Sequence, residues 1–356
     1  MKQYELLRIV DLPVLQNRVY ASAESARNSP RGDMALVQDA GSGLIFNAAF
    51  DPDLLSYDED YQNEQACSPV FQQHLENVLA IIRRHFDTPS LLEVGCGKGY
   101  FLEHLRHAGY RAIGIDPAYE GASPHVIKAP FSSALGLSAD AIVLRHVLEH
   151  IQGPMHFLRA IARANGGRGK IYIEVPCFDW IRERHAWFDI FYEHVNYFRA
   201  SDFRRMFGNI LEQGHTFNGQ YLYVVADLSS LRDPSAIPAA SAELPVDFLA
   251  GIVRSTALAR RTPGCKAIWG GSSKGVIFAH HMQRAGVDFE CAIDINPVKQ
   301  DRFMAGTGLK IVSPETAFRT LSFGALVFVM NSNYFEEIAA LSRDRFCLVK
   351  GDQHEV

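Results

Sequence analysis

Several features that define other protein classes are missing from this 356-residue sequence. It has no run of about 18 uninterrupted apolar residues, so a membrane-spanning helix is not expected. Its six cysteines are scattered with no close pair, which favours free thiols in a reducing compartment over a disulfide framework. Residues 1–5 lack the apolar core of a signal peptide, and we therefore expect a cytoplasmic protein.

A long basic run is also absent, and the net charge is -5 at pH 7. This charge pattern gives no electrostatic footprint for nucleic acid and mildly favours a small-molecule substrate. Neither a membrane partner nor an oligomeric state is indicated. The length favours two or three domains rather than one.

Three regions differ in pattern. Residues 1–70 are rich in short strands and turns and predict a small α+β domain. Residues 71–228 alternate strand and helix patterns, which indicates a parallel sheet with covering helices. Its predicted strands are 90–93, 112–115, 141–144, 170–175 and 221–227. A linker is expected over 229–244, followed by a helix over 245–260 and a second strand–helix series that makes residues 245–356 a Rossmann-like α/β domain.

The strongest motif is the segment 91–99, where an apolar strand runs into Gly95, Gly97 and Gly99 before a helix over 100–108. Alternating glycines let the main chain turn tightly and let a ligand lie against it. A second strand then ends in Asp116, whose carboxylate can accept both hydroxyls of a ribose. The spacing G-x-G-x-G differs from the dinucleotide fingerprint G-x-G-x-x-G.

With Glu93 two residues before the first glycine, this segment resembles motif I of the class I S-adenosylmethionine (SAM) methyltransferases. The resemblance implies a Rossmann-like α/β sheet and SAM as the cofactor. The residues expected to bind it are Glu93, Gly95, Cys96, Gly97, Gly99, Asp116, Pro117, Arg145 and His146.

After the strand at 141–144, Arg145 and His146 lead into a predicted helix that begins at Val147. His146 and His150 lie four residues apart and could share a helix face, so a metal site has to be considered. The sequence identifies no third ligand, and we predict that no metal is bound and that His150 packs or caps.

An aromatic run over 187–198 contains Tyr192, Glu193 and His194 after the carboxyl end of a strand. A histidine oriented by a carboxylate could remove a proton from a methyl acceptor near neutral pH. The residues could equally be buried core with satisfied polar atoms. The run resembles the EH…YF signature of the deoxysugar C-methyltransferases, which implies His194 as general base with Glu193 assisting. The tyrosine of that family falls at Phe191, so Tyr192 is the expected substitute.

This resemblance extends over nearly the whole chain. In relatives the N-terminal domain carries cysteines that hold zinc, but residues 39–42 replace the expected C-x-x-C, and no zinc is predicted. Tyr57 and Tyr61 could cover the acceptor site or only pack. In the C-terminal domain, the turn at 270–275 and Asp294 resemble a second nucleotide site, and Lys274 is expected to be solvated rather than to bind an anion.

The leading hypothesis is a SAM-dependent methyltransferase of a small polar metabolite in a biosynthetic pathway, with a nucleotide-linked deoxysugar methylated at carbon as one candidate. O- or N-methylation of another metabolite remains open. An NAD-dependent oxidoreductase or epimerase that uses the C-terminal turn, and a non-catalytic protein that retains SAM, are the alternatives from other classes.

Overall fold

The computed structural model describes residues 2–56, 60–87 and 90–352 of the chain. Its first part is an antiparallel sheet with the order β1-β3-β4-β10, and its last strand comes from the central part of the chain. A separate two-stranded pairing joins β2 to β15 of the C-terminal part. The elements of the first part are β1 (Gln3–Pro13), β2 (Val19–Tyr20), α1 (Ala23–Arg27), β3 (Arg31–Asp39) and β4 (Ile45–Asn47).

The turn between β3 and β4 occupies the position of the expected C-x-x-C. The Asp39 carboxylate accepts hydrogen bonds from the backbone N–H of Ser42 at 2.7 Å and from its hydroxyl at 2.8 Å. Arg199 donates to the carbonyl of Gly43 at 2.9 Å, and Arg205 donates to that of Ser42. Hydrogen bonds therefore fix this turn where the resemblance expects thiolates on a metal.

The central part is built on a seven-stranded sheet with the order β11-β12-β9-β8-β5-β6-β7. Strand β12 runs antiparallel to both of its neighbours, while the pairings from β9 to β7 are all parallel. The strands of this sheet are β5 (Ser90–Val94), β6 (Arg111–Ile115), β7 (Val126–Ile127), β8 (Ala141–Arg145), β9 (Lys170–Pro176), β11 (Ile210–Thr216) and β12 (Tyr221–Asp227). Strand β10 (Asn196–Tyr197) lies between β9 and β11 in the chain but pairs in the N-terminal sheet. The helices are α2 (Pro69–His85), α3 (Tyr100–His107), α4 (Pro154–Ala164), α5 (Phe178–Glu183) and α6 (Ala200–Met206).

Both faces of this sheet are buried, as expected for parallel strands. Alternate residues of β8 point to opposite faces: Ile142 packs in one cluster with Leu158 of α4, and Val143 packs in another with Val78 of α2. The predicted α/β class and the five predicted strands are confirmed, with ends that shift by one residue at most. Short β7 and the mostly half-buried β11 carry too little apolar pattern to be predicted.

The predicted helix at Val147 is wrong. Leu148–His150 form one turn of 3-10 helix, and α4 begins only at Pro154. The backbone of His146 has a φ of 52°, which ends β8 and breaks the chain direction before any helix can form. His146 and His150 therefore do not share a helix face.

The C-terminal part contains a five-stranded parallel sheet with the order β16-β14-β13-β17-β18. Its elements are α7 (Ala250–Arg261), β13 (Lys266–Trp269), α8 (Lys274–Arg284), β14 (Cys291–Ile293), β15 (Phe303–Met304), β16 (Ile311–Val312), α9 (Pro314–Thr320), β17 (Leu326–Val329), α10 (Phe335–Ser342) and β18 (Cys347–Lys350).

The segment predicted as a linker is bound to the N-terminal part. The Gln38 amide donates to the carbonyl of Ala240 at 2.9 Å, and its oxygen accepts from the N–H of Ala242 at 2.8 Å. Helix α7 begins five residues later than predicted because a turn at Pro245–Ala250 precedes it, closed by hydrogen bonds from Phe248 and Ala250. Segment 229–244 thus crosses the N-terminal sheet in a fixed position.

Candidate functional site

The glycine turn lies where parallel sheets bind ligands, at the carboxyl end of β5 and next to the point where the strand order reverses. Gly95, Gly97 and Gly99 all have positive φ, at 77°, 53° and 81°. At Gly95 a Cβ atom would come within 2.2 Å of Cγ2 of Val147, whereas at Gly97 nothing lies within 4 Å of the corresponding position. The side chain of Val147 therefore fills the space beside Gly95, whereas the space beside Gly97 is empty.

Asp116 holds this turn in place from the end of β6. One carboxylate oxygen accepts a hydrogen bond from the N–H of Gly97 at 2.8 Å, and the other accepts from Ala118 at 2.8 Å. The carboxylate is thus directed towards the open side of the turn. A ribose placed there would meet the same oxygens.

A cavity of about 580 Å³ begins at this turn and extends to all three parts of the chain. Of the residues predicted to bind the cofactor, Glu93, Gly95, Cys96, Gly97, Asp116, Pro117, Arg145 and His146 line it. Gly99 does not; it caps α3 in a left-handed conformation. The fold therefore brings eight of the nine predicted cofactor residues to one cavity.

Glu93 is a buried carboxyl group at the base of the turn. Burial raises its pKa to about 7; Arg145 opposes that rise and the charge of Asp116 adds to it. One of its oxygens has no hydrogen-bond partner within the described chain. Burial likewise raises the pKa of the neighbouring Cys96 thiol, so this cysteine is not a thiolate near neutral pH.

Glu174, at the end of β9, organises the charges behind the cavity. Its carboxylate is fully buried and accepts hydrogen bonds from His74 at 3.3 Å, Arg145 at 3.2 Å, Tyr172 at 2.9 Å and Thr216 at 3.0 Å. Burial alone would raise its pKa, but His74 and Arg145 hold that pKa well below its usual range. The residue therefore stays ionised and fixes the direction of Arg145.

His146 lies between two buried carboxylates. Its Nε2 is 3.4 Å from Glu174, and its Nδ1 is 3.4 Å from Glu149. Burial lowers its pKa, but the interactions with the carboxylates of Glu149 and Glu174 outweigh burial and raise the pKa to about 9. The imidazolium form is thus favoured beside the predicted cofactor site.

His194 lines the far end of the cavity. Its half-buried ring lies edge-on to His150, with the ring centres 4.9 Å apart, and against Phe191 at 4.7 Å. Burial first, and then the charges of His150 and His146, lower the pKa of His194 well below its usual value. Near neutral pH its ring is therefore uncharged.

Glu193 does not orient His194, contrary to the prediction. Its two carboxylate oxygens accept hydrogen bonds from the backbone N–H of Gln16 at 3.0 Å and from the hydroxyl of Tyr61 at 2.7 Å, both in the N-terminal part. Tyr192 is also turned away from the cavity. Its ring is fully buried, and its hydroxyl accepts from the N–H of Asp51 at 2.8 Å.

The physical reason is a turn at Tyr192 and Glu193, which directs these two side chains to the N-terminal part, while Phe191 and His194 on either side of the turn line the cavity. Phe191, where the resemblance expects a tyrosine, is the aromatic residue that lines the cavity. Tyr61 also lines it, which fits the first of the two alternatives, that it covers the site; Tyr57 lies outside the described residues. Asn17 and His150 line the cavity as well. No local sequence motif marks Asn17, and His150 was predicted to pack or cap.

The C-terminal turn faces the same cavity but is already occupied by the protein's own side chains. Asp294 accepts from the N–H of Gly271 at 2.9 Å and lies 3.4 Å from the ammonium group of Lys299, which also donates to Ser272 at 2.7 Å. A ribose would have to displace this lysine from the carboxylate it needs. The alternative of an NAD-dependent enzyme is therefore not supported.

Lys274 is buried, not solvated as predicted. Its ammonium group lies 2.8 Å from a carboxylate oxygen of Asp189 and over the ring of Trp180 at 5.0 Å. Because Asp189 is in the 3-10 turn that begins the aromatic run, this ion pair connects the start of α8 to the segment that carries His194.

Residues 60–210 match the family described as "Methyltransferase domain". This part of the chain is therefore similar to methyltransferase domains. The predicted enzyme class, a methyltransferase, agrees with this match, which covers less than half of the chain. Within the described part of the chain, no helix combines the length and the apolar character needed to span a membrane.

C-methyltransferase NovU of Streptomyces niveus is 25% identical to the chain over 183 residues, which are 46% of this chain. The match spans 42% of the length of that curated relative. Two solved structures are similar at TM-scores of 0.33. They are magnesium protoporphyrin IX methyltransferase (ChlM) from Synechocystis PCC 6803 with bound SAM (16% identity, 44% of this chain, 79% of that one) and 1,6-didemethyltoxoflavin-N1-methyltransferase of Burkholderia thailandensis with bound S-adenosylhomocysteine (14%, 45% and 80%). TM-scores this low say nothing about the substrate of this chain.

Proposed function

We propose that this protein transfers a methyl group from SAM to a small polar metabolite in a biosynthetic pathway. The observation that carries the proposal is that the glycine turn, Asp116 and His194 all line one cavity. SAM would supply the electrophilic methyl group on its sulfonium. Open space at Gly97 and the carboxylate of Asp116 fit its nucleoside part.

The acceptor end supports a polar substrate of limited size. Asn17, Tyr61 and Lys299 surround it together with His194, so the first, central and last parts of the chain all contribute. We also propose that residues 1–70, 71–228 and 245–356 are three domains. Each part would supply one side of the acceptor site.

His194 is the proposed general base. It lies at the acceptor end, and within the described chain no hydrogen bond occupies its ring nitrogens, so a lone pair is free to accept a proton. Glu193 would act at a distance, by fixing Tyr61 and the N-terminal part against the cavity. Carbon is the proposed acceptor atom because the 25% identical relative is named a C-methyltransferase; a nucleotide-linked ketosugar is the first substrate to test.

The donor site is tested by calorimetric titration of SAM with a matched pair of variants, Asp116→Asn and Asp294→Asn. Each replaces a carboxylate that accepts from a glycine turn, one in each parallel sheet. Loss of a charged hydrogen-bond acceptor costs about 1.5–3 kcal/mol, so Asp116→Asn should weaken SAM binding about 10- to 100-fold. Asp294→Asn should not change it. Absence of SAM binding in the unaltered protein would overturn the proposal.

The acceptor is tested by mass spectrometry and NMR of products formed from nucleotide-linked ketosugars. The expected product carries one additional methyl group on carbon; a methyl on oxygen or nitrogen would refute carbon as the acceptor atom. His194→Gln should abolish turnover and leave SAM affinity unchanged. Full turnover in that variant would exclude His194 as the base.

A further inference from the structure

Two sequence-distant segments bring two imidazoles and a carboxylate together at the acceptor end of the cavity. Glu149 and His150 follow β8, whereas His194 precedes β10. One nitrogen or oxygen atom from each residue lies within 4.8 Å of the other two, and all three residues line the cavity. Among the described residues this is the one group of three or more metal-ligating side chains at such distances.

Glu149 is the first of two independent signs that a ligand belongs there. Its side chain is 1% exposed, yet neither of its carboxylate oxygens has a hydrogen-bond partner within the described chain. His146 forms an ion pair with Oε1 at 3.4 Å, which leaves Oε2 without any partner within the described chain. A buried carboxylate is costly unless it is hydrogen-bonded, paired or bound to a metal.

The second sign is the tautomer of His150. Its Nδ1 lies 2.9 Å from the backbone carbonyl of Glu193, and a carbonyl can only accept a hydrogen bond. Nδ1 therefore carries the proton, and the neutral ring keeps its lone pair on Nε2. Histidine ligands of metal ions commonly have this arrangement, in which the other ring nitrogen donates to a carbonyl and fixes the ring.

We propose that Glu149, His150 and His194 bind one divalent transition-metal ion. Two imidazoles and one carboxylate suit Zn²⁺ or Fe²⁺ and leave coordination positions open towards the cavity. Bonds of about 2.1 Å to a tetrahedral ion hold ligand atoms about 3.4 Å apart. The three side chains would therefore close by about 1 Å when the ion binds, which rotation of half-buried rings allows.

This metal site goes beyond the proposed function and would change the role proposed for His194. A metal ion would occupy the lone pair of His194, so His194 could not also take a proton from the acceptor. A substrate carbonyl oxygen bound at an open position would instead make the neighbouring C–H bond more acidic, because the ion would act as a Lewis acid, and a water molecule would take that proton before the carbon attacks the methyl group. Metal binding and methyl transfer can therefore fail independently of each other.

The test uses the full-length, tag-free protein after removal of metal with a chelator. Zn²⁺ is titrated by calorimetry, and Co²⁺ is titrated by visible absorption, which reports nitrogen and oxygen coordination directly. We expect one ion per chain and at least tenfold weaker binding in both Glu149→Gln and His194→Gln. His104→Gln is the matched control because His104 is a more exposed imidazole, 3.4 Å from Glu76, outside the cavity.

SAM titration of every variant checks that the cavity is still folded. The proposal is overturned if the protein binds no ion, or if Glu149→Gln and His194→Gln bind the ion as tightly as the unaltered chain does. Undiminished methyl transfer by metal-free protein would also contradict the catalytic part and leave the methyltransferase proposal intact. Metal binding without SAM binding would support the metal site and contradict the proposed methyltransferase function.

Discussion

Lys274→Met tests whether the C-terminal part is fixed to the central part by a buried charge. Lys274 and Asp189 are each about 8% exposed at the side chain, and their charged atoms are 2.8 Å apart. Methionine keeps most of the hydrocarbon stem packed against Trp180 but removes the ammonium group. Asp189 is then left buried without its counter-charge, and burial already raises the pKa of this carboxyl group.

The size of the effect follows from this burial. Removing one partner of a buried ion pair costs about 3–5 kcal/mol, several times more than the loss of an exposed pair. At about 2.1 cal/mol/K per residue, the unfolding entropy of a chain of 356 residues is about 0.75 kcal/mol/K. The expected decrease in Tm is therefore about 4–7 °C.

Differential scanning calorimetry of a double-mutant cycle provides the measurement. Lys274→Met/Asp189→Asn removes both charges and should be about 1–2 kcal/mol more stable than Lys274→Met alone, because no unpaired carboxylate remains. A decrease in Tm below 1 °C for Lys274→Met would refute the reasoning. So would a double variant that is less stable than the single one, since the penalty would then not come from the isolated carboxylate.

Two further variants test the central sheet. Glu174→Gln should cost about 3–5 kcal/mol in urea unfolding at pH 7, because it leaves Arg145 buried without a counter-charge. Since the pKa of Glu174 is lowered in the folded state, its contribution to the free energy of unfolding is complete above the ordinary pKa of 4.5 and is lost as the pH falls below it. If Glu174→Gln lowered the free energy of unfolding equally at pH 7 and pH 3, this assignment would be contradicted. Gly95→Ala should abolish SAM binding in calorimetry, because φ is 77° and the new Cβ would come within 2.2 Å of Val147; unchanged affinity would mean that the turn can rearrange.

Much of the central fold could be predicted because its signals are local. Strand β12 was predicted with its observed ends, since a buried strand is a short apolar run bounded by turns. The glycine turn and Asp116 could be assigned for the same reason. Positive φ, a helix start and a strand end are all properties of residues that are neighbours in sequence.

Predictions that depended on side-chain direction were less successful. Glu193 and His194 are adjacent, which suggested a carboxylate that orients an imidazole, but the backbone turns at Glu193 and directs the two side chains to different neighbours. The helix expected at Val147 failed because His146 takes a left-handed conformation that no sequence pattern signals.

The sequence by itself determined the α/β class, the glycine turn and the position of Asp116 at a strand end, because each depends on a few consecutive residues. Only the tertiary structure decided which residues meet at the acceptor end. The sheet places the turn after β8 beside the segment before β10, so that Glu149 and His150 approach His194 from 45 and 44 positions away in the chain. Contact across such a distance results from packing, and packing is fixed only when the whole chain has folded.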